Sequence, residues 1–270
     1  MLLTEAILAF LFGLLFGSFL NVCIYRWPRD LSVVRPRSHC PSCQKTIAWY
    51  DNVPLLSYGL LGGRCRYCRA PIPARYPVVE FLTGALFFYF VWTLGPTPAA
   101  LKMCFFSAIL VGLLFSDLEQ RILPDEFTLG GALVGFAFAG FVPVPDATAR
   151  MLLWFFGIDL AGRADWLVES ALGALLPAAV LWLGGWFYEK IRHREGLGLG
   201  DVKLIAMAGA FLGLSGSLMM LLIGSLSGSI LGYGYIRLAK KDPATYELPF
   251  GTFLAAAGLL VGILGRKALL

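Results

Sequence analysis

Charged residues are scarce in this chain. Asp, Glu, Lys and Arg make up 14% of its 270 residues, whereas soluble domains contain about 25%. Hydrophobic residues make up 58%. A chain of this composition cannot cover a globule with polar side chains, which excludes a soluble enzyme, a disordered protein and a disulfide-rich secreted module. In a membrane, the length allows about eight spans of about 20 residues and one sizeable loop.

Apolar segments occupy most of the sequence and predict an all-α polytopic membrane protein with about eight transmembrane helices. We expect a first transmembrane helix at 1–25, a small, basic cytoplasmic loop domain at 26–76 and a transmembrane domain at 77–270. A charged, then glycine-rich loop is expected at Glu189–Gly200. The predicted spans are Leu2–Ile24, Pro77–Leu94, Ala99–Ser116, Phe127–Val142, Leu167–Tyr188, Val202–Leu214, Leu218–Ile236 and Pro249–Leu264.

The positions of Lys and Arg predict the orientation. If the 26–76 loop faces the cytoplasm, alternation of eight spans places 17 of the 22 Lys and Arg residues on that side. Cytoplasmic loops of membrane proteins carry such an excess. We therefore expect both termini on the opposite side of the membrane. The net charge of +5 is then a topology signal and not a surface for binding nucleic acid.

Four of the six cysteines form two CxxC pairs in the loop, Cys40 with Cys43 and Cys65 with Cys68, with 21 residues between the pairs. Two such knuckles place four thiolates around one tetrahedral zinc ion. The reducing side of the membrane disfavours disulfides, and a metal would stabilise a segment too short to build a core. We predict structural zinc, with redox use of either pair as the alternative. The other two cysteines lie in predicted spans and are expected to be core residues.

Two aspartates stand out because the predicted topology places both at the cytoplasmic edge of the membrane. Asp117 ends the third span, and Asp201 begins the sixth within Gly198-Leu199-Gly200-Asp201. Two neighbouring carboxylates in a partly dry site cannot both ionise cheaply, so such a pair holds a shared proton. An aspartic protease uses this arrangement: one carboxylate activates water while the other polarises the scissile carbonyl. Gly198 and Gly200 would let a substrate backbone approach closely.

The acidic residues also have simpler interpretations. An aspartate at a helix N-terminus often caps the helix, which fits Asp201. Asp117 could be interfacial, as we expect of Glu119 and Asp125. Glu80, near the start of the second span, could pair with an arginine at the interface or could line a site. The residues alone leave the catalytic pair as one hypothesis among these.

Several motifs together resemble those of the bacterial type IV prepilin peptidases, also called prepilin leader peptidase/N-methyltransferases, which are GxGD aspartic membrane proteases. The resemblance covers most of the chain. Asp117 with Leu123-Pro124-Asp125 is similar to the segment of the family's first catalytic aspartate, and Gly198–Asp201 to that of the second. The other matching motifs are Gly17-Ser18-Phe19-Leu20-Asn21-Val22 with Tyr25-Arg26, the two CxxC pairs, Trp49-Tyr50-Asp51-Asn52-Val53-Pro54-Leu55-Leu56-Ser57, Gly63-Arg64-Cys65, and Arg75-Tyr76-Pro77 with Glu80.

The resemblance implies a bifunctional enzyme of the bacterial inner membrane. It would cut the basic leader of type IV prepilins or type II secretion pseudopilins on the cytoplasmic side, after a glycine, with Asp117 and Asp201 as the catalytic pair. It would then methylate the new N-terminal residue, commonly phenylalanine, with S-adenosyl-L-methionine. The expected partners are substrates with a basic leader and a hydrophobic N-terminal helix, together with membrane lipid. An acidic cluster of Asp117, Glu119, Asp125 and Glu126 could attract the leader.

The methyl-donor site is harder to locate. No glycine-rich S-adenosylmethionine fingerprint follows a predicted strand, so by elimination we expect the site at the cysteine loop and its flanking spans. The candidate residues are Asn21, Arg26, Asp51, Asn52 and Glu80. Each of them could as easily hold the loop against the membrane.

Two other functions fit part of the sequence. A channel or transporter with a zinc-bound cytoplasmic lid could use the aspartates as a proton or cation path. A GxGD protease of the signal-peptide-peptidase type would be expected to carry its first aspartate after a tyrosine and to have no cysteine loop, whereas Ser116 precedes Asp117 here. Cleavage and methylation of a prepilin would separate these functions.

Overall fold

The structure, a computed structural model, describes residues 2–144, 146–193, 198–240 and 248–265. Within these ranges the chain is helical, and the only extended pairings are two isolated antiparallel bridges in the cysteine loop. Two 3₁₀ turns, Trp27–Arg29 and Trp49–Asn52, also lie in this loop. The α-helices are α1 (Leu2–Arg26), α2 (Leu56–Leu60), α3 (Arg75–Leu94), α4 (Pro98–Gln120), α5 (Asp125–Ala139), α6 (Thr148–Phe155), α7 (Arg163–Arg192), α8 (Leu199–Leu238) and α9 (Phe250–Leu264).

In the described part of the chain, five helices, α1, α3, α4, α7 and α8, are long and apolar enough to cross a membrane. Helix is present in each of the eight predicted segments. The helices α5 and α9 have 15 residues each, fewer than the roughly 20 of a perpendicular span. The spans predicted at Val202–Leu214 and Leu218–Ile236 both lie in α8, which has 40 residues. The loop predicted at Glu189–Gly200 falls partly on 194–197, outside the described residues.

The helix α8 is interrupted at Gly213, one residue before the predicted end of the sixth span. Its φ of 81° lies in a region that L side chains rarely adopt, so glycine suits the break. The Asp146 carboxylate lies against this point. Its Oδ2 accepts the backbone N–H of Ser215 at 2.5 Å, and its Oδ1 accepts that of Thr148 at 3.0 Å. Asp146 therefore joins the start of α6 to the break in α8.

The chain forms two compact units, which meet along the chain between Gly112 and Leu113. The helix α4 begins in the first unit and ends in the second, and the cysteine loop lies wholly in the first. The division that composition suggests, with boundaries after residues 25 and 76, stays a prediction.

In the first unit, α1 packs closely on α3 because glycines lie at the contact. A Cβ atom on Gly13 would come within 2.7 Å of the Gly84 Cα, and one on Gly17 within 2.7 Å of the Glu80 Cα. Gly13 and Gly17 form a Gly-x-x-x-Gly pattern, which is typical of membrane helices whose backbones touch. This contact brings the polar end of α1 against the start of α3.

In the second unit, α7 and α8 cross at Gly173 and Gly209. A Cβ atom on Gly209 would overlap the Gly173 carbonyl group. Nearby, the Ser170 hydroxyl donates a hydrogen bond of 2.8 Å to the Ala210 carbonyl. This crossing fixes the helix whose first turn carries Asp201.

Gly209→Ala is expected to destabilise the second unit, because the added methyl group has no room beside the Gly173 carbonyl. Overpacking costs about 1–3 kcal/mol, which lowers the Tm of a protein of this size by at least about 2 °C. Gly184→Ala on α7 is the matched control, since nothing lies within 4 Å of the Cβ that it would gain. Thermal unfolding in detergent measures both, and equal Tm values for the two variants would contradict the close crossing.

Candidate functional site

Asp117 lies in the last turn of α4, where 5% of its surface is exposed. Its Oδ2 accepts two hydrogen bonds from Thr252 near the start of α9, from the backbone N–H at 2.6 Å and from the hydroxyl at 2.8 Å. The close approach depends on Gly251, because a Cβ atom there would lie 3.1 Å from the Asp117 Cγ. The carboxylate is therefore held by a helix that lies far along the chain.

Asp201 lies in the first turn of α8, whose N-cap is Gly198. The N-cap residue, as a glycine, supplies no side-chain hydrogen bond to this end of the helix. The carboxylate is close enough to Asp117 for the two groups to interact electrostatically. The fold thus brings together the two aspartates that the sequence singles out, one from the end of a helix and one from the start of another.

Leu123 packs between the segments that carry the site. A Cβ atom on Gly200 would lie 3.2 Å from the Leu123 Cβ, and one on Gly251 would lie 2.9 Å from the Leu123 Cδ1. The space that Gly200 leaves is therefore occupied by the Leu123 side chain. The predicted approach of a substrate backbone to Gly198 and Gly200 stays a prediction.

The other members of the predicted acidic cluster, Glu119, Asp125 and Glu126, are exposed. Asp125 accepts a hydrogen bond of 2.7 Å from the Lys203 Nζ, which joins the start of α5 to the start of α8. An exposed ion pair is worth at most about 1 kcal/mol, so this one contributes little to stability. It does place a cation beside the acidic cluster.

Sequence reasoning missed Gly251 and Thr252 as parts of this site, and it named Leu123 only as part of a matching motif. One signal was available: Pro249-Phe250-Gly251-Thr252 opens the last apolar segment, on the side where the predicted topology places both aspartates. A polar residue at the end of a span has many interfacial roles, however. Only the contact of α9 with α4, through Thr252 and Asp117, distinguishes this threonine from other polar residues at span ends.

The four loop cysteines lie in two turns of the same geometry. In the first, the Cys40 N–H donates to the Lys45 carbonyl at 2.9 Å, and the Gln44 N–H donates to the Cys40 carbonyl at 2.8 Å. Cys65 makes the corresponding two bonds in the second turn, at 2.9 and 3.0 Å. Gln44 and its counterpart Arg69 both have positive φ, 59° and 60°. The chain uses one turn twice, and each copy presents two thiols.

The four thiols converge on one point. All of their Sγ atoms lie within 4.8 Å of one another, and those of Cys40 and Cys68 are 3.8 Å apart. A tetrahedral zinc ion with Zn–S bonds of about 2.3 Å sets S–S edges of about 3.8 Å, so the cluster fits zinc. Four sulfur ligands leave no open position, which makes a metal here structural. Cys23 and Cys104 are buried in helices, as expected of core residues.

A cleft of about 420 Å³ lies in the first unit, between α1 and the cysteine loop. Ser18 and Arg26 line it from α1, and Trp49 and Asn52 line it from the second 3₁₀ turn. Its volume is in the range of pockets that hold drug-sized molecules, about 300–1,000 Å³. It combines an aromatic ring, an amide, a hydroxyl and a cation.

Arg26 shapes one wall of this cleft. Its side chain is buried at the end of α1, and it donates to the carbonyls of Ser32 and Pro36, both at 2.8 Å. These bonds fold the chain after α1 back around the guanidinium group. Arg26 therefore serves the structure of the loop and also faces the cleft.

Asn21 and Glu80 lie outside the cleft lining and attach the loop to the helices. The Asn21 amide donates to the Tyr76 carbonyl at 3.0 Å, which joins α1 to the start of α3. The Glu80 Oε2 accepts the Leu55 N–H at 2.9 Å, and the Ser18 hydroxyl also binds this carboxylate. Glu80 is thus connected to the cleft through Ser18.

Asp51 also lies outside the cleft lining. Arg66 donates two hydrogen bonds to it, at 2.7 and 2.6 Å, and these hold the pKa of the Asp51 carboxyl below its usual range. The Arg66 guanidinium lies over the Tyr50 ring, 5.5 Å from its centroid. Because Arg66 follows Cys65, this pair ties the second cysteine turn to the 3₁₀ turn that carries Trp49.

Two family descriptions match the chain. Residues 11–94 match the bacterial peptidase A24 N-terminal domain, and residues 104–233 match the type IV leader peptidase family. The first match covers α1 from residue 11 onward, the cysteine loop and α3. The second includes Asp117 and Asp201.

Curated relatives match over most of the chain. A prepilin leader peptidase/N-methyltransferase of Aeromonas hydrophila is 36% identical over 96% of this chain and 90% of its own length. Another of that name, from Myxococcus xanthus, is 42% identical over 84% of this chain and 62% of its own length. A third, from Pseudomonas aeruginosa, is 32% identical over 95% of this chain and 89% of its own length. No solved structure matches.

The purified full chain is expected to contain about one zinc ion, because its four thiols fit one tetrahedral site. Cys40→Ser/Cys43→Ser should lose the metal, since it removes two of the four ligands. Cys23→Ala/Cys104→Ala is the matched control and should keep it. Inductively coupled plasma mass spectrometry measures the zinc content, and a wild-type chain prepared without chelators that contains no metal would rule out the site.

Proposed function

Because the chain belongs to the type IV leader peptidase family, we propose that it removes the leader from type IV prepilins or pseudopilins and then methylates the new N-terminal residue with S-adenosyl-L-methionine. The observation that supports this most strongly is the pairing of Asp117 with Asp201 beside the first turn of α9. An aspartic protease needs two carboxylates that interact in a partly buried site. The relatives' names carry both activities.

In the proposed cleavage, one aspartate of the pair is ionised and the other is protonated. The carboxylate takes a proton from water as the water oxygen bonds to the scissile carbonyl carbon, and the protonated aspartate donates to the carbonyl oxygen. The gem-diol then returns a hydroxyl proton to the aspartate that donated. The other aspartate passes its proton to the departing amine as the C–N bond breaks, which restores the pair.

The exposed carboxylates of Glu119, Asp125 and Glu126 would attract the basic leader of the substrate. Rim charges of this kind increase the rate of encounter more than the final affinity. Lys203 neutralises part of the charge of Asp125, which reduces the contribution of this carboxylate to the attraction. The catalytic pair would then meet the peptide bond where the leader joins the membrane-embedded helix.

We place the enzyme in the bacterial inner membrane with the aspartate pair on the cytoplasmic side. The excess of Lys and Arg in the loops assigned to that side supports this orientation. The same orientation keeps the four loop cysteines in a reducing compartment, where thiolates remain available to a metal.

The cleft in the first unit is the proposed methyl-donor site. Bound there, S-adenosylmethionine would supply an electrophilic methyl group to the new amine. Trp49 offers a ring face for an adenine or a sulfonium cation, and Asn52 and Ser18 offer polar groups for the ribose. Arg26 would face the carboxylate of the donor. Asn21, Asp51 and Glu80 are proposed to position the walls of the cleft.

Asp117→Asn and Asp201→Asn are each expected to abolish leader removal, because each removes one member of the acid–base pair, worth about 10²–10⁴-fold in rate. Neither should prevent methylation of a pilin that already lacks its leader. Asp159→Asn, at an exposed loop position, is the control. Mass spectrometry of a prepilin reconstituted with the enzyme in liposomes follows leader loss and methyl gain. Wild-type cleavage by either site variant would exclude the pair.

Trp49→Ala is expected to raise the KM for S-adenosylmethionine by about tenfold while leader removal continues, because aromatic stacking on a base is worth about 1–3 kcal/mol. Tyr67→Ala changes another exposed aromatic of the same loop outside the cleft and serves as the control. Methyl transfer to a leaderless pilin is measured against donor concentration. An unchanged KM in Trp49→Ala would contradict the proposed location of the donor site in this cleft.

A further inference from the structure

The two aspartates of the site have unequal surroundings. Both donors of Thr252, the backbone N–H at 2.6 Å and the hydroxyl at 2.8 Å, are bound to the same oxygen of Asp117. The Asp201 carboxylate, in contrast, receives no hydrogen bond from the residues within the described ranges. The pair is therefore asymmetric before any substrate arrives.

The N–H of Thr252 is available because of its place in α9. The helix begins at Phe250, so Thr252 lies in its first turn, where backbone N–H groups have no carbonyl partner within the helix. The same end of a helix carries the positive pole of its dipole. The Asp117 carboxylate satisfies the unpaired N–H, and in return both the N–H and the dipole favour a negative charge on it.

We propose that Thr252 is a positioning residue that keeps Asp117 in the ionised form, so that Asp117 is the base and Asp201 carries the shared proton as the acid. This inference rests on the proposed peptidase function. Oδ2 of Asp117 is held by Thr252, which leaves Oδ1 to take the proton of the attacking water. Asp201 then donates its proton to the carbonyl oxygen of the scissile bond. As the C–N bond breaks, Asp117 passes the proton taken from water to the departing amine, and a hydroxyl group of the gem-diol returns a proton to Asp201.

The other charges around Asp117 are the same in every variant that tests this role. Arg121, just beyond α4, and Asp201 on α8 both interact with Asp117 electrostatically. On the start of α5, Asp125 is paired with Lys203. The described part of α9 and its approach, residues 248–265, contains no titratable side chain. A change at Thr252 therefore alters the donors to Asp117 and no neighbouring charge.

Thr252→Val removes the hydroxyl and keeps the shape of the side chain. Without this donor Asp117 ionises less readily, so the acidic limb of the pH profile of kcat/KM for prepilin cleavage should move to higher pH, by about one unit. Thr252→Ser keeps the hydroxyl and should return the limb to its wild-type position. Partial unfolding would lower the rate equally at every pH and would leave the acidic limb in place. If Thr252→Val does not fold, Thr252→Ala is measured instead.

Thr83→Val is the matched control, because Thr83 is also buried and its hydroxyl donates to the Val79 carbonyl at 2.8 Å on α3. The acidic limb of the Thr83→Val pH profile should stay at the wild-type pH. A Thr252→Val enzyme whose rate falls equally at all pH values would overturn the positioning role and leave the peptidase function standing. Wild-type cleavage by Asp117→Asn would instead overturn the function on which the inference rests.

Discussion

Buried carboxylates need hydrogen-bond donors, and this chain supplies them from the starts of its helices. Three acidic residues with 7% or less of their surface exposed each accept a backbone N–H at or next to the beginning of a helix. Each contact satisfies an acid and an unpaired helix-end donor at the same time. The pairs are Glu80 with Leu55, Asp117 with Thr252, and Glu169 with both Ala149 and Arg150.

Such contacts require backbones to come close, and glycine makes this possible. Gly17 lets α1 touch α3 at the Cα of Glu80, and Gly251 lets the start of α9 reach the carboxyl carbon of Asp117. In both places a side chain would separate the acid from the elements that hold it. The glycine content of the chain therefore serves the placement of its few charges as well as the packing of its helices.

The parts of the site that depend on local sequence patterns could be predicted from the sequence. The CxxC spacing predicted the four-thiol cluster because a knuckle needs only neighbouring residues. Asp117 and Asp201 stood out because charge is rare at span ends, and the charge bias placed them on one side. Thr252 could not be found in this way, since its role depends on a contact between helices 135 positions apart along the chain. Hydropathy did not predict where each helix ends, because it measures apolar character and not helix length, as the 15-residue helices α5 and α9 show.

The cysteine turns and the cleft share the same stretches of chain. Ser38 and Ile47 line the cleft and are joined by a backbone hydrogen bond of 2.8 Å across the first cysteine turn. The second turn is tied to the same loop side of the cleft through Arg66, which binds Asp51, two residues from Trp49. A metal that locks the two turns together would therefore fix the loop residues that line the cleft. The proposed zinc ion would thus support the proposed methyl-donor cleft, whereas Asp117 is held by hydrogen bonds from Thr252 within the second unit.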